Sequence, residues 1–201
     1  MSRNSSWALL LALACLAAPA CRTSQPARYY LLSADIAADP ASATRAQPAV
    51  GIGPIAFPQY LDRPQMVTRE GSSELEISEL HRWAEPLESN FLSVLADNLT
   101  ARLGSDRVYG FPWPARRSID RRVTGEVARF DVDETGRAVL EVRWQVTDGE
   151  GEAVVPTRRS RYTQTSAAGD HAAMVSALAA TVAAFATEVA GAVEGTRTGD
   201  A

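Results

Sequence analysis

VGIGPIAFPQYLDRPQMVTREGSSELEISELHRWAEPLESNFLSVLADNLTARL, residues 50–103, holds in order a strand, a proline-framed loop, a hairpin and a long amphipathic helix. Val50 and Ile52 alternate, and Pro54 then shifts the apolar phase to Ile55 and Phe57. A proline inside a strand marks a bulge or an edge. Pro58 and Pro64 frame Gln59–Arg63, and each proline drives the residue before it out of the helical region, so the loop is stiff without regular pairing. Met66–Glu70 and Leu75–Ser78 read as short strands around Gly71-Ser72-Ser73, a hairpin signal. Pro86 suits the first position of a helix. Leu87, Phe91, Leu95, Leu99 and Leu103 then recur every four residues with Leu92 beside them, an apolar stripe. Gly104 stops it as a C′ glycine. The helix spans about 27 Å.

Outward from this stretch, Arg107–Phe111 reads as a short strand stopped by Pro112 and Pro114. Three longer strands follow. Ile119–Asp131 runs into the turn Asp133-Glu-Thr-Gly136, and its apolar positions switch from odd (Val123, Val127) to even (Phe130, Val132), which places a bulge near Ala128. Val139–Thr147 alternates cleanly: Leu140, Val142, Trp144 and Val146 face one way, Glu141, Arg143 and Gln145 the other. Ala153–Thr165 completes an antiparallel meander. A last helix runs from about Asp170, a candidate N-cap, to Val193. Its stripe is Met174, Leu178, Val182, Phe185 and Val189, and Glu188 and weak hydrophobicity argue against a membrane span. The expected fold is therefore α+β: a mixed, mainly antiparallel sheet of five to seven strands with two amphipathic helices packed on it.

On the N-terminal side, residues 22–48 are rich in Ala, Ser, Thr, Pro and Gln and read as a tether reaching roughly 30 Å. Tyr29-Tyr30-Leu31-Leu32 interrupts it, as a short strand or strap on the domain, or as a peptide that docks to a partner. Residues 1–20 have the parts of a secretory signal: Arg3, the apolar run Trp7–Ala18, and Ala18-Pro19-Ala20 before a cut. The run is too short to span a bilayer as a mature helix, which takes about 20 residues. Cys21 follows at once, which resembles a bacterial lipobox, although Ala18 stands where Leu is preferred. Cys15 is a competing site, and an ordinary cut releasing a soluble protein is the alternative. Acylation of Cys21 buries many methylenes, each worth roughly 0.8 kcal/mol, so three chains make a lasting anchor. By resemblance to Gram-negative lipoproteins, in which Asp after the cysteine favours inner-membrane retention, Arg22 there implies the outer membrane, facing the periplasm. The expected organisation is a signal peptide at 1–20, a lipidated tether at 21–48, one folded domain at 49–194 and a disordered tail at 195–201.

Composition narrows the function. The 201 residues carry 20 basic and 24 acidic groups, net −4, and every basic residue is Arg. That balance is no nucleic-acid footprint, and without Lys a Walker A lysine is impossible. Cys15 and Cys21 are the only cysteines, so there is no disulfide framework beyond residue 21 and no Cys/His zinc set. His81 and His171 stand 90 positions apart, with no catalytic arrangement in the local sequence, and His171 reads as solvated. Asp131-Val-Asp133-Glu134 lacks the spacing of an EF-hand loop and reads as solvated acids at a turn. No catalytic residue, cofactor or metal is expected.

The Tyr29-Tyr30 segment, the valine-rich strand entering Pro58-x-Tyr60-Leu61-Asp62-Arg63-Pro64, the run Arg82-Trp83-Ala84-Glu85-Pro86-Leu87 and Asn98-Leu99 together resemble the ABC-type transport auxiliary lipoproteins, the PqiC-like family. The resemblance covers most of the chain beyond Cys21. It implies a non-catalytic lipoprotein at the outer membrane of a Gram-negative bacterium. Such a protein works beside MCE-domain proteins that carry lipids between the two membranes, as a ring of copies or singly. A carrier binding a small hydrophobic ligand in its own cavity and a structural envelope lipoprotein are the alternatives. Partner-binding candidates are Tyr60, Leu61, Arg63, Arg82 and Trp83. Each has a structural alternative: Tyr60 and Leu61 as a plug at the core edge, Arg63 and Arg82 in ion pairs, and Trp83 packed before the helix.

Overall fold

A computed structural model describes residues 25–34, 47–113 and 118–196. The signal segment, Cys21, most of the tether and the last five residues lie outside them. The described chain forms eight strands and two helices: β1 (Arg28–Tyr30), β2 (Val50–Ala56), β3 (Gln65–Glu70), β4 (Glu74–Trp83), α1 (Leu87–Leu103), β5 (Val108–Gly110), β6 (Arg121–Asp133), β7 (Arg137–Asp148), β8 (Ala153–Thr165) and α2 (His171–Gly195). The sheet has eight strands rather than five to seven, because the Tyr29-Tyr30 island joins it as β1. The antiparallel pairings β3–β4, β6–β7 and β7–β8 carry its longest strands, and the parallel pairings β1–β4, β2–β5, β2–β6 and β3–β6 are shorter.

Strand β6 organises the sheet. One of its edges pairs with β7 from Arg121 to Val132. The other edge is divided: Arg121–Glu126 pairs with β2, and Val132-Asp133 with β3. The sheet therefore forks, with β2–β5 on one branch and β3–β4–β1 on the other. The bulge between Val127 and Arg129 falls at the fork and carries out the phase switch from Val127 to Phe130. Opposite the fork, β7 approaches β6 so closely that a Cβ on Gly125 would lie 2.4 Å from the Arg143 carbonyl oxygen, so no larger residue fits without backbone movement.

Both helices cover one face of the sheet. Leu87, Phe91, Val94, Leu95, Leu99 and Leu103 of α1 and Met174, Leu178, Val182, Phe185, Val189 and Val193 of α2 are buried against it. Phe91 meets Phe130 edge-on at 5.4 Å, and Phe185 meets Trp144 at 5.7 Å. Gly104 ends α1 in the left-handed conformation, φ 57°, which glycine adopts without the steric cost of a Cβ. Asp170 caps α2 by accepting from the Ala172 and Ala173 N–H groups. By length and composition α2 is apolar enough to cross a membrane, but it is the core helix of this fold, with over half of its apolar window buried. Glu188, in its C-terminal half, accepts from Tyr162 Oη and from Ser160 Oγ at 3.2 Å. Burial, then the bond to this carboxylate, holds the Tyr162 hydroxyl well above its ordinary pKa. Between the helices, Arg102 Nε donates to Thr187 Oγ1 at 2.7 Å.

The strap after β1 is fastened by one buried amide. Asn90 Oδ1 accepts from the Leu32 N–H at 2.7 Å, and Asn90 Nδ2 donates back to the Leu32 carbonyl at 3.4 Å. Leu32 beside it is 4% exposed, inside the core.

Candidate functional site

The Pro58–Pro64 loop fills the fork. A 3-10 turn over Gln59–Leu61 follows extended Pro58, and successive backbone bonds (Leu61 N–H to Pro58 O, Asp62 N–H to Gln59 O, Arg63 N–H to Leu61 O) fold the loop on itself. Strand β4 runs on through His81 and Arg82 to Trp83, so Arg82-Trp83 ends a strand rather than opening the helix. Short local alternation hid this, since Ile77 and Leu80 are exposed on β4. Pro86 is the N-cap residue of α1 rather than its first helical residue, and its side chain contributes no capping bond. The Trp83 N–H donates to the Pro64 carbonyl at 2.7 Å and the Ala84 N–H to Tyr30 O at 2.9 Å. The first bond joins the loop to the Arg82–Leu87 run, and the second ties that run to β1.

Between them lies an open groove of about 520 Å³, with Phe57, Leu61, Trp83 and Leu87 in its apolar lining and Asp62, Arg63, Glu85 and Glu88 in its polar lining. Leu61 and Trp83 are buried at 5% and 7% exposure, which makes them floor rather than rim. Arg63 Nε is buried with no hydrogen-bond partner among the described residues. Tyr60 and Arg82 point elsewhere. The Tyr60 hydroxyl donates to Asp131 Oδ2 at 3.1 Å. Arg82 Nε donates to the Glu79 carbonyl at 3.2 Å on the outer part of β4.

Behind the groove, Asp131 is not a solvated turn acid. Its side chain is fully buried and held by Arg69 Nη2 at 2.8 Å and Arg129 Nε at 2.6 Å. Tyr60 lies under the Arg69 guanidinium, 5.8 Å from its ring centre. Burial, then the Asp131 charge, pushes the Tyr60 hydroxyl up to about 12. The Arg69 guanidinium is raised further by its bond to Asp131. The network locks the loop's inner side to β6 and leaves Leu61 and Arg63 facing the groove.

Sequence reasoning missed one cluster. His81 and His171 stack face to face, ring centres 3.5 Å apart and planes 6° apart, and Tyr30 Oη lies 2.8 Å from His81 Nδ1. The stack joins β1, β4 and the first turn of α2. Burial, His171 and Arg28 hold His81 below its ordinary pKa. Only the β1–β4 pairing, Arg28 against His81, could have signalled it. Among the described residues, no three His, Cys, Asp or Glu side chains converge on a metal site.

Comparison with known proteins places this fold. The family model of the ABC-type transport auxiliary lipoprotein component matches residues 30–190. The chain belongs to that family. The match begins at Tyr30, the last residue of β1, and takes in both groove-forming motifs and most of α2. A Xanthomonas campestris protein of the family known as domain of unknown function 330 superposes with a TM-score of 0.68 at 19% identity, covering 86% of this chain and 98% of its own. A second, uncharacterized protein superposes at 0.66 and 18% identity, covering 83% and 97%. These two share the fold. PelC from Paraburkholderia phytofirmans, a dodecamer, aligns at a TM-score of 0.39 and 17% identity, covering 68% and 86%. No curated protein matches the chain.

Proposed function

We propose that this auxiliary lipoprotein is anchored through Cys21 in the outer membrane, faces the periplasm, and docks an MCE-domain partner in the groove between the Pro58–Pro64 loop and the Trp83–Pro86 turn. It acts there as a non-catalytic component of an envelope lipid transport system. The observation that carries this reading is the convergence of the two family motifs on one groove, from positions some 20 residues apart. A groove with an apolar floor, a buried Trp and a charged rim has the make-up of an interface core with its rim. Packing supports a contact role over a carrier role: Phe91, Phe130, Phe185 and Trp144 fill the space between helices and sheet at 1% exposure or less, where a carrier needs a lipid-sized void. The exposed Tyr29, Leu31, Ile77 and Leu80 suit contact with further copies in a ring.

The test is to fill the groove without disturbing the fold. Ala84 lines it and is exposed, so Ala84→Trp should leave stability within about 0.5 kcal/mol. The same variant should weaken co-purification of the MCE-domain partner by at least about tenfold, the size of a hot-spot loss. Undiminished co-purification with the groove filled would remove the groove from the interface.

A further inference from the structure

The face of the sheet away from the helices carries a second concave feature with no place in the docking reading. On β8, Ser160 and Tyr162 reach α2 through Glu188, so Arg159 and Arg161 project from the opposite face. On β7, Arg143 lies between buried Val142 and Trp144 and shares that open face. The register sets Arg143 directly opposite Arg159, and Glu141 opposite Arg161. These residues, with Glu126 and the bulge residue Ala128, line a trough of about 750 Å³.

The charges there do not balance. Glu126 accepts from Arg143 at 3.2 Å, and Glu141 pairs with Arg161 at 3.4 Å. Arg159 has no carboxylate partner among the described residues, and its cross-strand neighbour is another arginine. Like charges directly opposite on a sheet are destabilising, and this pair occurs in a chain whose net charge is −4. All three arginines are exposed, with Arg143 and Arg161 at 57% and 56% of the side chain. Arg159 therefore has an arginine on two sides along the sheet: Arg143 across the strand and Arg161 two residues along it.

We infer that this trough binds a phosphate group, with Arg143, Arg159 and Arg161 as its donors. Guanidinium forks match phosphate and carboxylate oxygens. Three arginines on one face of two adjacent strands offer donors for the several oxygens of a tetrahedral phosphate, more than the two of a planar carboxylate require. Glu126 and Glu141 already occupy one side of Arg143 and Arg161, so the ligand's weight falls on Arg159. The small Ala128 side chain leaves room on the β6 side for whatever the phosphate is attached to. Exposed charges are screened by salt, so binding weakens as ionic strength rises.

Calorimetric titration of the full chain at low ionic strength tests this, with inorganic phosphate, sn-glycerol 3-phosphate and acetate as probes. Both phosphates should bind, and acetate at least tenfold more weakly. Arg159→Gln should weaken phosphate binding at least fivefold with an unchanged melting temperature. Arg137→Gln is the control for net charge: Arg137 is also exposed on β7 but is paired with Asp133, outside the trough, and its variant should bind normally. Tighter binding of glycerol phosphate than of inorganic phosphate would identify a lipid headgroup as the source; the reverse order would identify free phosphate. Equal binding of acetate, equal loss in Arg137→Gln, or no loss in Arg159→Gln would overturn the site and leave the arginines as protection of the β8 edge.

Discussion

At the scale of single residues, Asp131 carries the largest consequence. It is a fully buried carboxylate between two arginines and a tyrosine hydroxyl. Replacing it with Ala strands the Arg69 and Arg129 guanidinium groups, and breaking a buried pair from one side costs about 3–5 kcal/mol. Urea denaturation of Asp131→Ala should show a loss of that size, and a loss under about 1 kcal/mol would mean the network is solvated. The histidine stack makes a prediction of opposite character. Folding lowers the pKa of His81, so the unfolded chain takes up a proton more readily than the native one. Stability is therefore highest above the unfolded value of about 6.5 and falls as pH drops from there towards the lower folded value. Denaturation midpoints at pH 8 and pH 5.5 should differ in that direction, and His171→Gln should flatten the difference by removing the stacked partner. A midpoint that rises on acidification would contradict the stack.

Among the elements, what could be read in advance depended on how local the cause was. The α1 stripe from Leu87 to Leu103 and its Gly104 stop are set within the helix, and both appear as expected. The bulge near Ala128 was legible as a phase switch in β6, and the register shift lies between Val127 and Arg129. The length of β4 was not legible, because Ile77 and Leu80 face solvent and the strand is held by its pairing with β1 and β3 rather than by burial. The fork was invisible for the same reason: one strand edge shared by two partners leaves no periodic trace. The candidate site divides likewise. Its two motifs stand out in the chain, whereas their convergence rests on a backbone bond from Trp83 to Pro64, a contact that no local pattern encodes. The burial of Asp131 arises from contacts over 60 residues apart. Asn90 gives an element-scale prediction. Among the described residues it alone bonds both backbone groups of Leu32, and leaving them unpaired costs about 1–3 kcal/mol. Asn90→Ala should speed proteolysis near residues 29–34 while cleavage within β6–β8 stays slow. Uniform acceleration would mean that the strap and the core open together.

For the whole molecule, the arrangement separates three tasks. Helices and sheet form a packed core, the fork holds a stiff loop over one groove, and β1 leads the chain back towards its N-terminus at the same side, since Tyr30 accepts the Ala84 N–H at the groove edge. Under the proposed docking reading, a chain entering the domain beside the groove would let the segment before β1 set the distance between an anchor at Cys21 and the docked partner. The central claim is that the groove is the docking surface. Its most direct test is photo-crosslinking in living cells, with a photoreactive residue at Arg63 or Glu85 on the groove and, as reference, at Glu150 in the β7–β8 turn. The account predicts crosslinks to an MCE-domain protein from both groove positions and none from Glu150. Crosslinks to lipid alone, or to the same protein from Glu150 as readily as from the groove, would contradict it.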